Sequence, residues 1–156
     1  MKRELGLTLL ELLIVIVIIS VIVGMLVPSI GNSKRQNIEA VERAVLLINM
    51  ARQEALLSSK VWQFVFDIED KQYYFQQLTG MEFEDILRQP LAGRHQIEEL
   101  SVMSLKINGQ EIPSGHAAAY LFPTGENDSL RLVFKSEQNE YLIGMNVFNS
   151  AWMEEL

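Results

Sequence analysis

The chain has 156 residues and a formal net charge of −7, with 13 basic and 20 acidic side chains and no cysteine. That length holds one compact domain beyond the N-terminal segment. The missing cysteines exclude disulfides, thiolate metal sites, cysteine nucleophiles and a lipid anchor on an N-terminal cysteine, and the acidic balance argues against nucleic acid as a partner.

The chain opens on "MKRELGLTLLELLIVIVIISVIVGMLV", and no charged residue lies between Glu11 and Lys34. An apolar helix crosses a bilayer in about 20 residues, so the run is long enough for a single pass. Lys2 and Arg3 precede it, which keeps the short N-terminus cytoplasmic and sends the remainder across. Without Lys2, Arg3, Glu4 and Glu11 the rest of the chain still carries −7. Glu11 is the anomaly, because a carboxylate inside such a run is costly. Thr8 and Glu11 fit the S/T-x-x-E capping box, which accounts for Glu11 locally. A cleaved secretory signal fits less well, since no A-x-A site follows the run.

After "VPSIGNSKRQ" the pattern becomes amphipathic. Ile38, Val41, Val45, Ile48, Ala51 and Ala55 recur at helical spacing, with Glu39, Glu42 and Arg43 opposite. The spacing predicts a helix continuing to about residue 59, and with the apolar run a rod on the order of 80 Å. Pro28 lacks an N–H, and its ring crowds the carbonyl of Gly24, so the two weak points share one hydrogen-bond register and predict a kink.

Beyond the helix the period switches to two. "VWQFVF" and "YYFQQL", joined by "DIEDKQ", read as a hairpin in which Trp62, Phe64 and Phe66 face the core. Residues 79–98 read as a long acidic loop containing Pro90 and Gly93, with room for a short turn of helix. "LSVMSLKI", Asn108-Gly109 and "QEI" form a second hairpin. "AAYLF", "LRLVF" and "YLIGMNV" add three strands. The expectation is an α+β fold, a long N-terminal helix packed on one antiparallel β-sheet of about six or seven strands.

"GLTLLE" before a long apolar run, with Lys2 and Arg3 upstream, resembles the class III signal of type IV pilins and type II secretion pseudopilins. The resemblance implies a leader of residues 1–6 cut after Gly6, N-methylation of Leu7, and Glu11 as the fifth mature residue. Pro28 falls where many pilins carry a proline. Residues 7–30 then form the transmembrane and filament-core helix, and 31–156 a periplasmic domain. Where the family usually begins with Phe, this chain has Leu7. Cleavage would leave a charged amine at the head of an apolar helix, and in a staggered filament that amine meets the glutamate of a neighbour. Each charge is far less costly when paired, so Glu11 is expected to act in inter-subunit assembly, alongside any capping role.

"ARQEA" with the strand, acidic turn and aromatic strand after it, and "AAAYLFPTGENDSLRLVF", resemble the H-type minor pseudopilin. The implied function is a structural, low-copy component near the tip of the type II secretion pseudopilus, in a bacterial inner membrane and periplasm. The implied partners are other major and minor pseudopilins, prepilin peptidase and inner-membrane lipid before assembly. No cofactor and no metal site are expected. A major pseudopilin would carry a calcium loop, for which "GENDS" and "DIED" are too sparse; both read as turns. The K-type tip subunit lacks the fifth-position glutamate. A minor pilin of a type IV pilus or DNA-uptake system is the alternative, disfavoured by the charge. A signal-anchored enzyme is the remaining one: His95, in the predicted loop, and His116 accompany no H-E-x-x-H or G-x-S-x-G constellation, and no catalytic residue is assigned.

Overall fold

The computed structural model describes residues 9–97, 99–137 and 139–156, and of 23–33 the backbone alone. The chain divides into two compact units between Gln36 and Asn37. The α-helical assignment of α1 covers Leu9–Ser58, one residue short of the expected end.

In the first unit, the helix from Leu9 to Ile22 displays its apolar side chains to the outside, Leu9 at 83% exposure. Its one polar side chain past Glu11, Ser20, donates its hydroxyl to the Ile16 carbonyl at 2.8 Å, so it adds no unsatisfied group to the apolar surface. Among the described residues no helix is long and apolar enough to cross a membrane. The span expected over 7–30 extends past both ends of the described apolar side chains.

In the second unit, α1 buries Val41, Ile48, Ala51 and Ala55 as the periodicity requires, with Ile38 and Val45 packed alongside. Ala44 and Leu47 widen this stripe. Among the described residues the strands form two five-stranded sheets where one sheet was expected. The first joins β1 (Trp62–Asp67), β2 (Gln72–Thr79), β3 (Glu82–Asp85), β4 (His95–Gln96) and β7 (His116–Leu121), ordered β3-β2-β1-β7 with β4 also on β2. The second joins β5 (Ser101–Ile107), β6 (Gln110–Glu111), β8 (Leu130–Lys135), β9 (Glu140–Met145) and β10 (Trp152–Glu155), ordered β10-β9-β8-β5-β6. All pairings are antiparallel, with Phe64 opposite Phe75 on one side and Ala119 on the other. Helix and both sheets contribute to one core. Phe66 of the first sheet meets Phe134 of the second edge-on, ring centroids 5.8 Å apart, a favoured aromatic geometry.

The region 79–98 is a correction to the loop expectation. Glu82–Asp85 pairs with β2, and so does His95–Gln96. Acidic residues on β3 suit an edge strand, where charge discourages pairing with another chain. The Asn108-Gly109 turn forms as expected, with Asn108 at φ 51 and Gly109 at φ 79, the left-handed pair that a two-residue hairpin requires.

Candidate assembly site

Gly6 and Leu7, the expected cleavage and methylation positions, lie outside the described residues, and so does Thr8. Glu11 sits in the first turn of α1. The helical assignment continues through Gly24 and Pro28, whose side chains are outside the described set.

In the second unit the C-terminal turns of α1 hold the loops that follow β7 and β9. Arg52 Nε donates to Asn127 Oδ1 at 2.9 Å. Its Nη2 donates to the carbonyls of Gly125 and Phe148, at 3.2 and 3.1 Å. Asn127 is buried and donates Nδ2 to the carbonyls of Asn146 and Asn149. One turn earlier, Asn49 makes a reciprocal pair with the Ala151 backbone, accepting from its N–H at 2.8 Å and donating to its carbonyl at 3.0 Å. These loops carry backbone groups that no ladder satisfies, and a guanidinium with two amides supplies the missing partners. The sequence reading missed this cluster. Its signal was available: Asn49 and Arg52 are polar residues bordering an apolar stripe, and "ARQEA" and "GENDS" are the two segments that meet.

"GENDS" is therefore more than a solvated turn. Asp128 Oδ2 accepts from the Tyr120 N–H at 2.9 Å, and Oδ1 accepts from Asn108 Nδ2 at 2.8 Å, tying this loop to the Asn-Gly hairpin. "DIED" closes on itself as an Asx-type turn, with Asp67 Oδ1 accepting from the N–H groups of Glu69 and Asp70. The Asp70 N–H holds the Asp67 carboxyl below its usual range against the opposing effect of burial, helped by the Glu69 N–H and by the charge of His116. His116 Nε2 lies 3.0 Å from Asp67 Oδ2.

His95 belongs to β4 and not to the expected loop. Its ring stacks on Tyr73, centroids 5.1 Å apart, and Nε2 is buried with no hydrogen-bond partner among the described residues. Burial lowers the His95 pKa, with the nearby Arg43 charge adding to the effect. Burial also pushes the Tyr73 hydroxyl up to about 12. Among the described residues no three His, Asp or Glu side chains gather as metal ligands do.

Residues 1–27 match the family model described as the prokaryotic N-terminal methylation motif. Two solved structures of the minor pseudopilin EpsH from the type II secretion system of Vibrio cholerae share this fold, each at 17% identity. One superposes with a TM-score of 0.55, covering 76% of this chain and 94% of that chain. The other gives 0.57 and covers 75% and 91%. In fold this chain resembles a minor pseudopilin, and it opens on the methylation motif. No curated protein matches its sequence at a significant level.

The methylation-motif match encloses Gly6, Leu7, Glu11 and Gly24 and stops one residue before Pro28.

Proposed function

We propose that the chain is a minor pseudopilin of the type II secretion system, a structural, non-enzymatic, low-copy subunit near the tip of the periplasmic pseudopilus that supports export of folded proteins. The methylation motif at residues 1–27 joined to an EpsH-like fold carries this reading. In this proposal prepilin peptidase removes residues 1–6 and Leu7 becomes the methylated N-terminus. Residues 7–30 hold the subunit in the inner membrane before assembly and lie among other pseudopilin helices afterwards, with 31–156 in the periplasm. Glu11 pairs with a neighbour's terminal amine and so fixes register, because an unpaired charge among apolar helices is costly. Gly24 and Pro28 give the helix its bending point as it leaves lipid for the filament.

Deleting the gene in its host is the test. Export of secreted enzymes is expected to stop, while twitching motility and DNA uptake continue. Loss of twitching or DNA uptake with normal export would transfer the chain to the minor pilins of a type IV pilus.

A further inference from the structure

A groove of about 390 Å³ opens between α1 and the segment after β3, within the second unit. Met50, Trp62 and Pro90 supply apolar lining. The outer wall is fixed in place: Ile86 and Leu91 are buried at its two ends, and the Leu91 N–H donates to the Arg88 carbonyl at 3.1 Å. Between these anchors Leu87 is held 92% exposed at the rim.

Charge at this groove is one-sided. Glu54, Glu84 and Asp85 line it against a single cation, Arg88. Asp85 is oriented by Gln76, whose Nε2 donates to Asp85 Oδ1 at 2.8 Å, while Gln76 Oε1 accepts from Gln63. Arg88 reaches from the outer wall towards the helix, with Nη1 3.9 Å from Glu54 Oε1 and its side chain 84% exposed. An ion pair this long and this exposed is weak and easily exchanged. The mouth of the groove thus already attracts a cation from its own wall, and holds it loosely. Carboxylates at the rim repel nucleic acid and anionic lipid surfaces, and the apolar lining calls for apolar side chains.

Resting on the pseudopilin reading, we propose that this groove docks a segment of a neighbouring pseudopilin in which an apolar side chain is followed, within one helical turn, by Lys or Arg. The apolar side chain enters between Met50 and Leu87. The incoming cation takes the place of Arg88 beside Glu54 and Glu84.

The test uses the full-length chain in its host, with a photoreactive phenylalanine analogue in place of Leu87 or, as a control on the other sheet, of Met103, which is 54% exposed. Illumination at position 87 is expected to capture another pseudopilin, with Lys or Arg within about four residues of the crosslinked site. The Glu54→Gln, Glu84→Gln double variant should lower the yield about fivefold or more, because charge complementarity steers the encounter. Arg88→Ala should leave the yield unchanged or raise it, since it removes the competing cation. Abundance and leader processing serve as folding controls. The proposal is overturned by capture of phospholipid at position 87, by a captured segment without a cation, by indifference to the double variant, or by a loss of yield in Arg88→Ala. Capture of pseudopilins at position 103 but not 87 overturns the groove alone, whereas failure at both positions removes the pseudopilin reading with it.

Discussion

Arg52 Nε lies 2.9 Å from Asn127 Oδ1, joining residues 75 positions apart. Through this contact the helix end grips two loops at once, because Asn127 also donates to the carbonyls of Asn146 and Asn149. Replacing Asn127 by Ala strips the acceptor from a guanidinium and the donors from two carbonyls. Leaving such groups unsatisfied costs about 1–3 kcal/mol each, offset where water reaches them. The expected loss is about 3 kcal/mol, read by denaturant unfolding of the detergent-solubilised chain. Arg52→Lys should cost less than Asn127→Ala, since an ammonium keeps the charge but not the planar fork.

A Cβ built on Gly144 would lie 2.3 Å from Cζ2 of Trp152. Glycine at this position leaves room for the indole of Trp152, its partner in register on β10. Gly144→Ala should therefore lift the ring, at about 1–3 kcal/mol for overpacking. The chain has two tryptophans, so a Trp62→Phe background isolates Trp152. A red-shifted emission with faster acrylamide quenching is expected, and an unchanged spectrum would contradict the geometry.

Stability should fall with acid in two stages. His95 has a depressed pKa, so the folded state resists its protonation. The associated stability is complete above the ordinary histidine value of about 6.5 and declines as pH drops below it. Asp67 is depressed as well, and its contribution is present above the ordinary carboxylate value and lost as pH falls through the lower, folded value. Melting temperature measured from about pH 7 to pH 5 should slope in the native chain. It should flatten in His95→Phe, which keeps a ring against Tyr73 but cannot titrate; an equal slope would assign the effect to other groups.

Glu11→Gln separates two roles for one side chain. Gln also completes a capping box with Thr8, so a residue that serves only as a cap would tolerate the change. If Glu11 pairs with a neighbour's terminal amine as proposed, the amine left without its carboxylate partner loses about 3 kcal/mol. The variant should be cut after Gly6 and accumulate normally, as intact-mass spectrometry reports, yet crosslink poorly to other pseudopilins and export little.

Patterns within a segment were legible in the sequence; partnerships between segments were not. The stripe from Val41 to Ala55 and the alternation of Trp62, Phe64 and Phe66 place a helix and a core strand without further information. "EFED" looked like loop because three of its four residues are acidic, and only pairing with β2 makes it a strand. His95–Gln96 is two residues long, too short for any period. Trp152–Glu155 depends on the bare backbone of Gly144 beneath Trp152. Division into two sheets was hidden for a related reason: nothing in "AAYLF" says that it returns to β1 and not to the strand before it. In the candidate site, Glu11 stood out because charge in an apolar run is rare. Arg52 and Asn127 did not, since each is an ordinary residue until the other is beside it.

The strand order also determines how the second unit comes apart. The chain lays down β1 to β4 in the first sheet, crosses to β5 and β6 in the second, returns for β7, and crosses again for β8 to β10. Phe64 must wait for Ala119, and Leu105 for Leu132, so the first sheet is finished only after the second has begun, and the second only after the chain has returned to the first. Such interleaving favours a single cooperative transition with no half-folded resting state. A newly made chain then has two fates, fully folded or open to proteases, and a nick between β6 and β7 would discard both sheets together.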